Sequence, residues 1–180
     1  MKAATVKFFY RLSLACLILS GAAHLSTFVG VNPQALFPQI WVLHLAIFIL
    51  FIPLARTSKK LGGPYGRRLQ FKENMKYAPY WAGKWIPVLF LYVFFNFFFT
   101  GFVLQKSGVP DIIDGRKVLH NHGKVIKVLT DEEYNKHQAY SVRLFSGHWL
   151  LFYYIITVMF YSHTHHPRLK EFSTSNISRG

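Results

Sequence analysis

Two histidines raise the question of chemistry first. His24 and His44 both lie in apolar stretches, each about ten residues from the middle of the uncharged segment between them. In an antiparallel helical hairpin their imidazoles would therefore share a depth. An ionisable side chain in hydrocarbon is costly and needs a partner, which makes both rings candidates for function. Imidazoles on facing helices could fill the two axial positions of haem b, bind another metal, or help hold a quinone. They could equally be satisfied by one hydroxyl and one carbonyl each on neighbouring helices, with no ligand involved. Ser20, Thr27, Asn96, Thr100, Tyr153 and Thr157 are the residues whose types suit that role.

Those residues are spaced as a seam. Ser13, Cys16, Ser20, His24 and Thr27 recur at intervals of three or four, which puts them on one stripe of a helix and turns that stripe toward protein. Gly21, Ala22 and Ala23 beside it permit close helix contact. Asn96 and Thr100 lie one helical turn apart, as do Tyr153, Thr157 and Tyr161. No Asp, Glu, Lys or Arg accompanies the seam within the apolar runs, which argues against a proton pump or an ion-coupled transporter.

The other histidines form two groups. His120, His122, His137 and His148 belong to one side of the expected membrane, and His163, His165 and His166 to the other. Imidazole is a good ligand for zinc or copper, so His120, His122, His137, His148, His163 and His166 are candidate metal ligands. Their spacing enforces no site. The competing readings are a solvated turn, an interfacial His-Trp anchor at His148-Trp149, and polar groups at a helix C-terminus for His163 and His166. Cys16 is the single cysteine, so an internal disulfide or a multi-Cys zinc site is excluded. A Gly-rich phosphate loop, an HExxH helix and a nucleophile motif are all absent.

The elements that must position these residues are apolar helices. Hydrophobic residues make up 52% of the 180-residue chain and aromatics 18%, yet the formal net charge is +14. Segregation reconciles these figures, because the Lys and Arg residues crowd between long apolar runs, at about 12–31, 40–55, 85–104 and 145–161. Each run approaches the ~20 residues that cross a bilayer core. The fold class expected is an all-α membrane protein, a bundle of four transmembrane helices forming one polytopic domain over 1–180. The first run follows Lys2, Lys7 and Arg11 and has a signal-like Ser20-Gly21-Ala22, but its apolar character continues beyond that point, so a retained span is expected.

Charge sets the expected direction. The loop at 56–84 carries eight Lys and Arg, and the segments before the first span and after the last add three each. Of the other two loops, the first has none and the second offsets its seven with five acids. The bias puts both termini and the basic loop in the cytoplasm, as in a bacterial inner membrane. Basic residues that flank spans have anionic lipid as their nearest partner, so no nucleic-acid partner is expected. Within the basic loop, Arg67 to Tyr77 could form a short surface helix.

The outer segment, 105–144, carries structure of its own. Lys117 to His120 and Lys124 to Leu129 are β-prone runs joined at Asn121-His122-Gly123, which predicts a hairpin. Thr130 precedes Glu133 by three residues in a capping-box arrangement. Proline is absent from Asp131 until Pro167, so a single helix is expected to run from the outer cap through the fourth span. The function expected from these features is that of a noncatalytic membrane protein serving as an accessory or assembly subunit among other membrane subunits. The alternative is a redox subunit that binds haem b or quinone through His24 and His44.

Overall fold

The computed structural model describes residues 2–62, 72, 74–106, 108–167 and 169. The surface helix expected over Arg67 to Tyr77 falls largely outside them. The chain is mostly helical, with helices α1 (Ala3–Ser26), α2 (Pro33–Leu36), α3 (Val42–Gly62), α4 (Tyr80–Phe98) and α5 (Asp131–Thr164), and one antiparallel sheet. Among the described residues four helical stretches, Ala3–Val29, Pro38–Leu61, Tyr80–Leu104 and Asp131–Thr164, are long and apolar enough to cross a membrane.

Each of these stretches begins before the apolar run read from sequence or extends beyond it. An apolar run marks only the stretch suited to hydrocarbon, whereas a helix continues through charged positions beyond it, as α1 does at Lys7 and Arg11 and α3 at Lys59 and Lys60. Pro53 and Pro87 sit inside α3 and α4. Thr57 Oγ1 donates to the Pro53 carbonyl four residues before it at 2.7 Å, the back-bond by which a hydroxyl inside a helix is satisfied by its own backbone. Beyond Phe98 the helix widens into a π-turn over Phe99–Leu104, where Gln105 N–H donates back to the Thr100 carbonyl at 2.9 Å.

The described residues form two compact units. One consists of residues up to Ile18, Leu45–Val88 and the chain from Leu151 onward; the other consists of Leu19–His44 and Leu89–Leu150. The second unit holds the sheet, with strands β1 (Val109–Ile113), β2 (Arg116–Asn121) and β3 (Lys124–Val128) in that spatial order. The predicted hairpin is β2–β3, turned at His122 (φ +47°) and Gly123 (φ +79°). A further strand, β1, joins it through Asp114 (φ +50°) and Gly115 (φ +73°), and an Asp-Gly pair suits a two-residue turn with both central residues left-handed.

Helix α5 starts as its sequence predicts. Glu133 N–H donates to Thr130 Oγ1 at 3.2 Å, and Thr130 N–H donates to Glu133 Oε2 at 3.1 Å. This reciprocal box satisfies two orphan donors of the first turn. Lys117 pairs with Asp131 at 2.9 Å and Lys127 with Glu133, so the sheet is tied to the acidic start of the helix. Gly108 approaches the sheet closely, since a Cβ there would lie 2.6 Å from Leu119 Cγ.

Candidate functional site

The site centres on His24, which α1 presents to α4 and α5 within the sheet-bearing unit. Its Nδ1 lies 2.7 Å from Ser146 Oγ on α5, and its Nε2 bonds the Tyr92 hydroxyl on α4. One proton placement satisfies every group: Tyr92 donates to Nε2, Nδ1–H donates to Ser146, and the Ser146 hydroxyl donates to the Arg143 carbonyl at 3.4 Å. A neutral imidazole has one donor and one acceptor, and both are used. With 2% exposure, His24 is sealed in this arrangement, and a metal at either nitrogen would have to displace a hydroxyl.

Asn96, one turn along α4 from Tyr92, forms the second half of the site. Its Nδ2 donates to the Arg143 carbonyl at 3.0 Å, while Arg143 Nε donates to its Oδ1 at 3.2 Å. Thr100 Oγ1 donates to the same Oδ1 at 3.4 Å. One amide thus holds both the backbone and the side chain of Arg143, whose guanidinium carbon lies 3.7 Å from the Phe28 ring centroid. Gly147 is what lets Asn96 in, because a Cβ there would stand 2.9 Å from Asn96 Nδ2 and 3.9 Å from His24 Cε1. Such an approach through a small residue is how helices in hydrocarbon pack closely enough to share polar groups.

His44 occupies a separate setting. Trp149 Nε1 donates to His44 Nδ1 at 3.0 Å, and the fully buried Trp149 indole also meets Trp41 edge-on at 5.6 Å. Nearby, Asn32 caps α2 by accepting from Gln34 N–H at 3.0 Å and donates to Gln138 Oε1 at 2.9 Å. At the π-turn, Gln105 Nε2 donates to Ser141 Oγ at 2.7 Å.

Of the seam residues expected from sequence, Asn96 and Thr100 join the His24 cluster, while Thr27 Oγ1 donates to the His24 carbonyl at 2.6 Å. Ser20 and Thr157 are buried without a hydrogen-bond partner for their hydroxyls. Tyr153 meets the Cys16 thiol in the other unit.

The remaining histidines are dispersed among local partners. His120 lies 3.5 Å from Asp111, His148 Nδ1 is 3.2 Å from the Leu144 carbonyl, and the His137 ring meets Tyr140 edge-on. His122 forms the β2–β3 turn. In the other unit His163 Nε2 stands 3.4 Å from Ser58 Oγ, and His166 packs on Tyr77. Among the described residues no group of three or more His, Cys, Asp or Glu is arranged to hold a metal ion.

The sequence reading missed Tyr92, Arg143 and Ser146, the residues that complete the His24 cluster. Tyr92 could have been found from its i, i+4 spacing to Asn96. Arg143 could have been found as the lone cation heading the fourth apolar run. No protein-family model, curated protein or solved structure matches the chain.

Proposed function

We propose that the chain is a four-helix integral membrane protein without catalytic activity, acting as an accessory or assembly subunit of a larger membrane complex. What supports this reading most is the use made of the polar groups around His24. Ser146 and Tyr92 tie α5 and α4 to α1 through His24, and Asn96, which also accepts from Thr100, ties α4 to Arg143 on α5, so the hydrogen bonds of the cluster hold helix to helix.

The outward faces fit the same role. The most apolar windows of the first three spans are only 33%, 22% and 17% buried within the chain, against 56% for the fourth. Helix α5 is thus the most buried of the four, and rows such as Phe90, Phe94, Phe95 and Phe102 on α4 and the π-turn are left to lipid or to a neighbouring subunit. The cap adds exposed Val125, Ile126 and Val128 on β3, a strand at the edge of its sheet and open to further contact.

The test is crosslinking in native membranes followed by extraction in mild detergent. A defined heteromeric species that carries this chain in fixed stoichiometry is expected; a monodisperse monomer under every mild condition would contradict the reading. An absorption spectrum of the same preparation separates it from the haem alternative, because the occupied nitrogens of His24 predict no Soret band even after haem is supplied.

A further inference from the structure

The sheet-bearing unit contains an open cavity of about 680 Å³, within the ~300–1,000 Å³ usual for small-molecule sites. Its wall changes character along α5. Glu132 and Lys136 stand at the sheet end of that helix, and Arg143 lies about two turns farther along, with Phe28, Phe99 and Leu104 supplying apolar wall. Arg143 stands just before the apolar run at about 145–161, where the polar stretch of α5 ends.

Arg143 is built in rather than loosely displayed. Asn96 accepts from its Nε and holds its carbonyl, Phe28 packs under its guanidinium carbon, and Gly147 makes room for that amide. Neither Nη has a hydrogen-bond partner among the described residues, and no carboxylate there pairs with it. The acid lining the cavity, Glu132, is eleven residues away on the same helix, about 16 Å along the axis. A half-buried guanidinium with a fixed fork and no counterion is suited to bidentate binding of phosphate.

We infer that this cavity binds an anionic phospholipid, with its phosphate on the Arg143 fork and Lys136 and an acyl chain along Phe28, Phe99 and Leu104. The inference rests on the membrane reading above and adds a ligand that reading does not require. The two fail separately. A chain that stays soluble without detergent removes the membrane reading, whereas a detergent-solubilised chain with no preference for anionic lipid removes only this one.

The test uses the full chain purified in mild detergent, stripped of lipid and titrated with short-chain phosphatidylglycerol, phosphatidylcholine of the same acyl length, or inorganic phosphate, with binding read by native mass spectrometry and intrinsic fluorescence. Phosphatidylglycerol is expected to bind at least tenfold more tightly than either alternative. Arg143→Gln should erase that preference, and Arg143→Lys should keep part of it. Lys136→Gln alters an exposed side chain of the cavity lining, so it tests the site even if the Arg143 variants fail to fold, and a severalfold loss is expected. Equal affinity for the two phospholipids, phosphate binding as tight as phosphatidylglycerol, or an unchanged preference in folded Arg143→Gln and in Lys136→Gln would each overturn the assignment.

Discussion

Replacing Gly147 with alanine should destabilise the protein, against the usual sense of that substitution in a helix. Alanine is favoured over glycine in a helix interior by about 1 kcal/mol, so without other effects Gly147→Ala would stabilise α5. The new Cβ, however, would stand 2.9 Å from Asn96 Nδ2, closer than real Cβ contacts allow. Asn96 is 6% exposed and makes bonds to the Arg143 carbonyl, the Arg143 Nε and Thr100, so its amide cannot swing aside without breaking them. Overpacking a filled interior costs about 1–3 kcal/mol, and losing two interhelical hydrogen bonds in an apolar setting adds about 0.6 kcal/mol each. Set against the propensity gain, the net loss is about 1–3 kcal/mol. Thermal unfolding in detergent should therefore show a lower midpoint for Gly147→Ala. The control is Gly83→Ala in α4, where a Cβ would meet nothing within 4 Å and the midpoint should rise. Because the clash is with one side chain, Asn96→Ala/Gly147→Ala should lose at least about 1 kcal/mol less than the sum of the single variants. A midpoint raised in Gly147→Ala, or strict additivity in the double variant, would refute the close approach of α4 to α5.

Three further outcomes follow from the geometry. His24→Phe leaves the Ser146 and Tyr92 hydroxyls without their shared partner and should cost about 1–3 kcal/mol in the same unfolding assay, with less lost when Tyr92→Phe is added. Thr130→Ala removes the hydroxyl of the capping box and should cost about 1 kcal/mol, read locally as faster amide exchange in the first turn of α5 while exchange in its apolar stretch is unchanged. Gly108→Ala should loosen the sheet through its clash with Leu119, and Leu119→Ala should relieve part of that effect; exchange protection of β2 is the measurement.

How much of this was legible in sequence depends on the range of the interaction. The capping box at Thr130–Glu133 and the turn at His122-Gly123 are set by neighbours a few residues apart, and both form as the local chemistry requires. Strand β1 carried an equally local signal in Asp114-Gly115, which a reading centred on the longer β-prone runs passed over. The ends of the long helices were less legible, because an apolar run marks the thickness of hydrocarbon and helix α1 begins well before it at Ala3. The partners of His24 were least legible. Ser146 is 122 residues away and Tyr92 is 68, and which hydroxyls reach an imidazole depends on how each helix is rotated about its axis, a property that a nearly uniform apolar sequence barely encodes.

A chain that crosses a bilayer four times must alternate the faces on which its connections are exposed. In a Cys16→Ser background, single cysteines introduced at Lys2, Gln39, Lys59, Arg116 and His165, all exposed, can be probed with a membrane-impermeant maleimide in vesicles of both orientations. Four crossings predict that Gln39→Cys and Arg116→Cys label from one face, and that Lys2→Cys, Lys59→Cys and His165→Cys label only from the other. Labelling of all five from the same face, or of Lys2→Cys and His165→Cys from opposite faces, would contradict it.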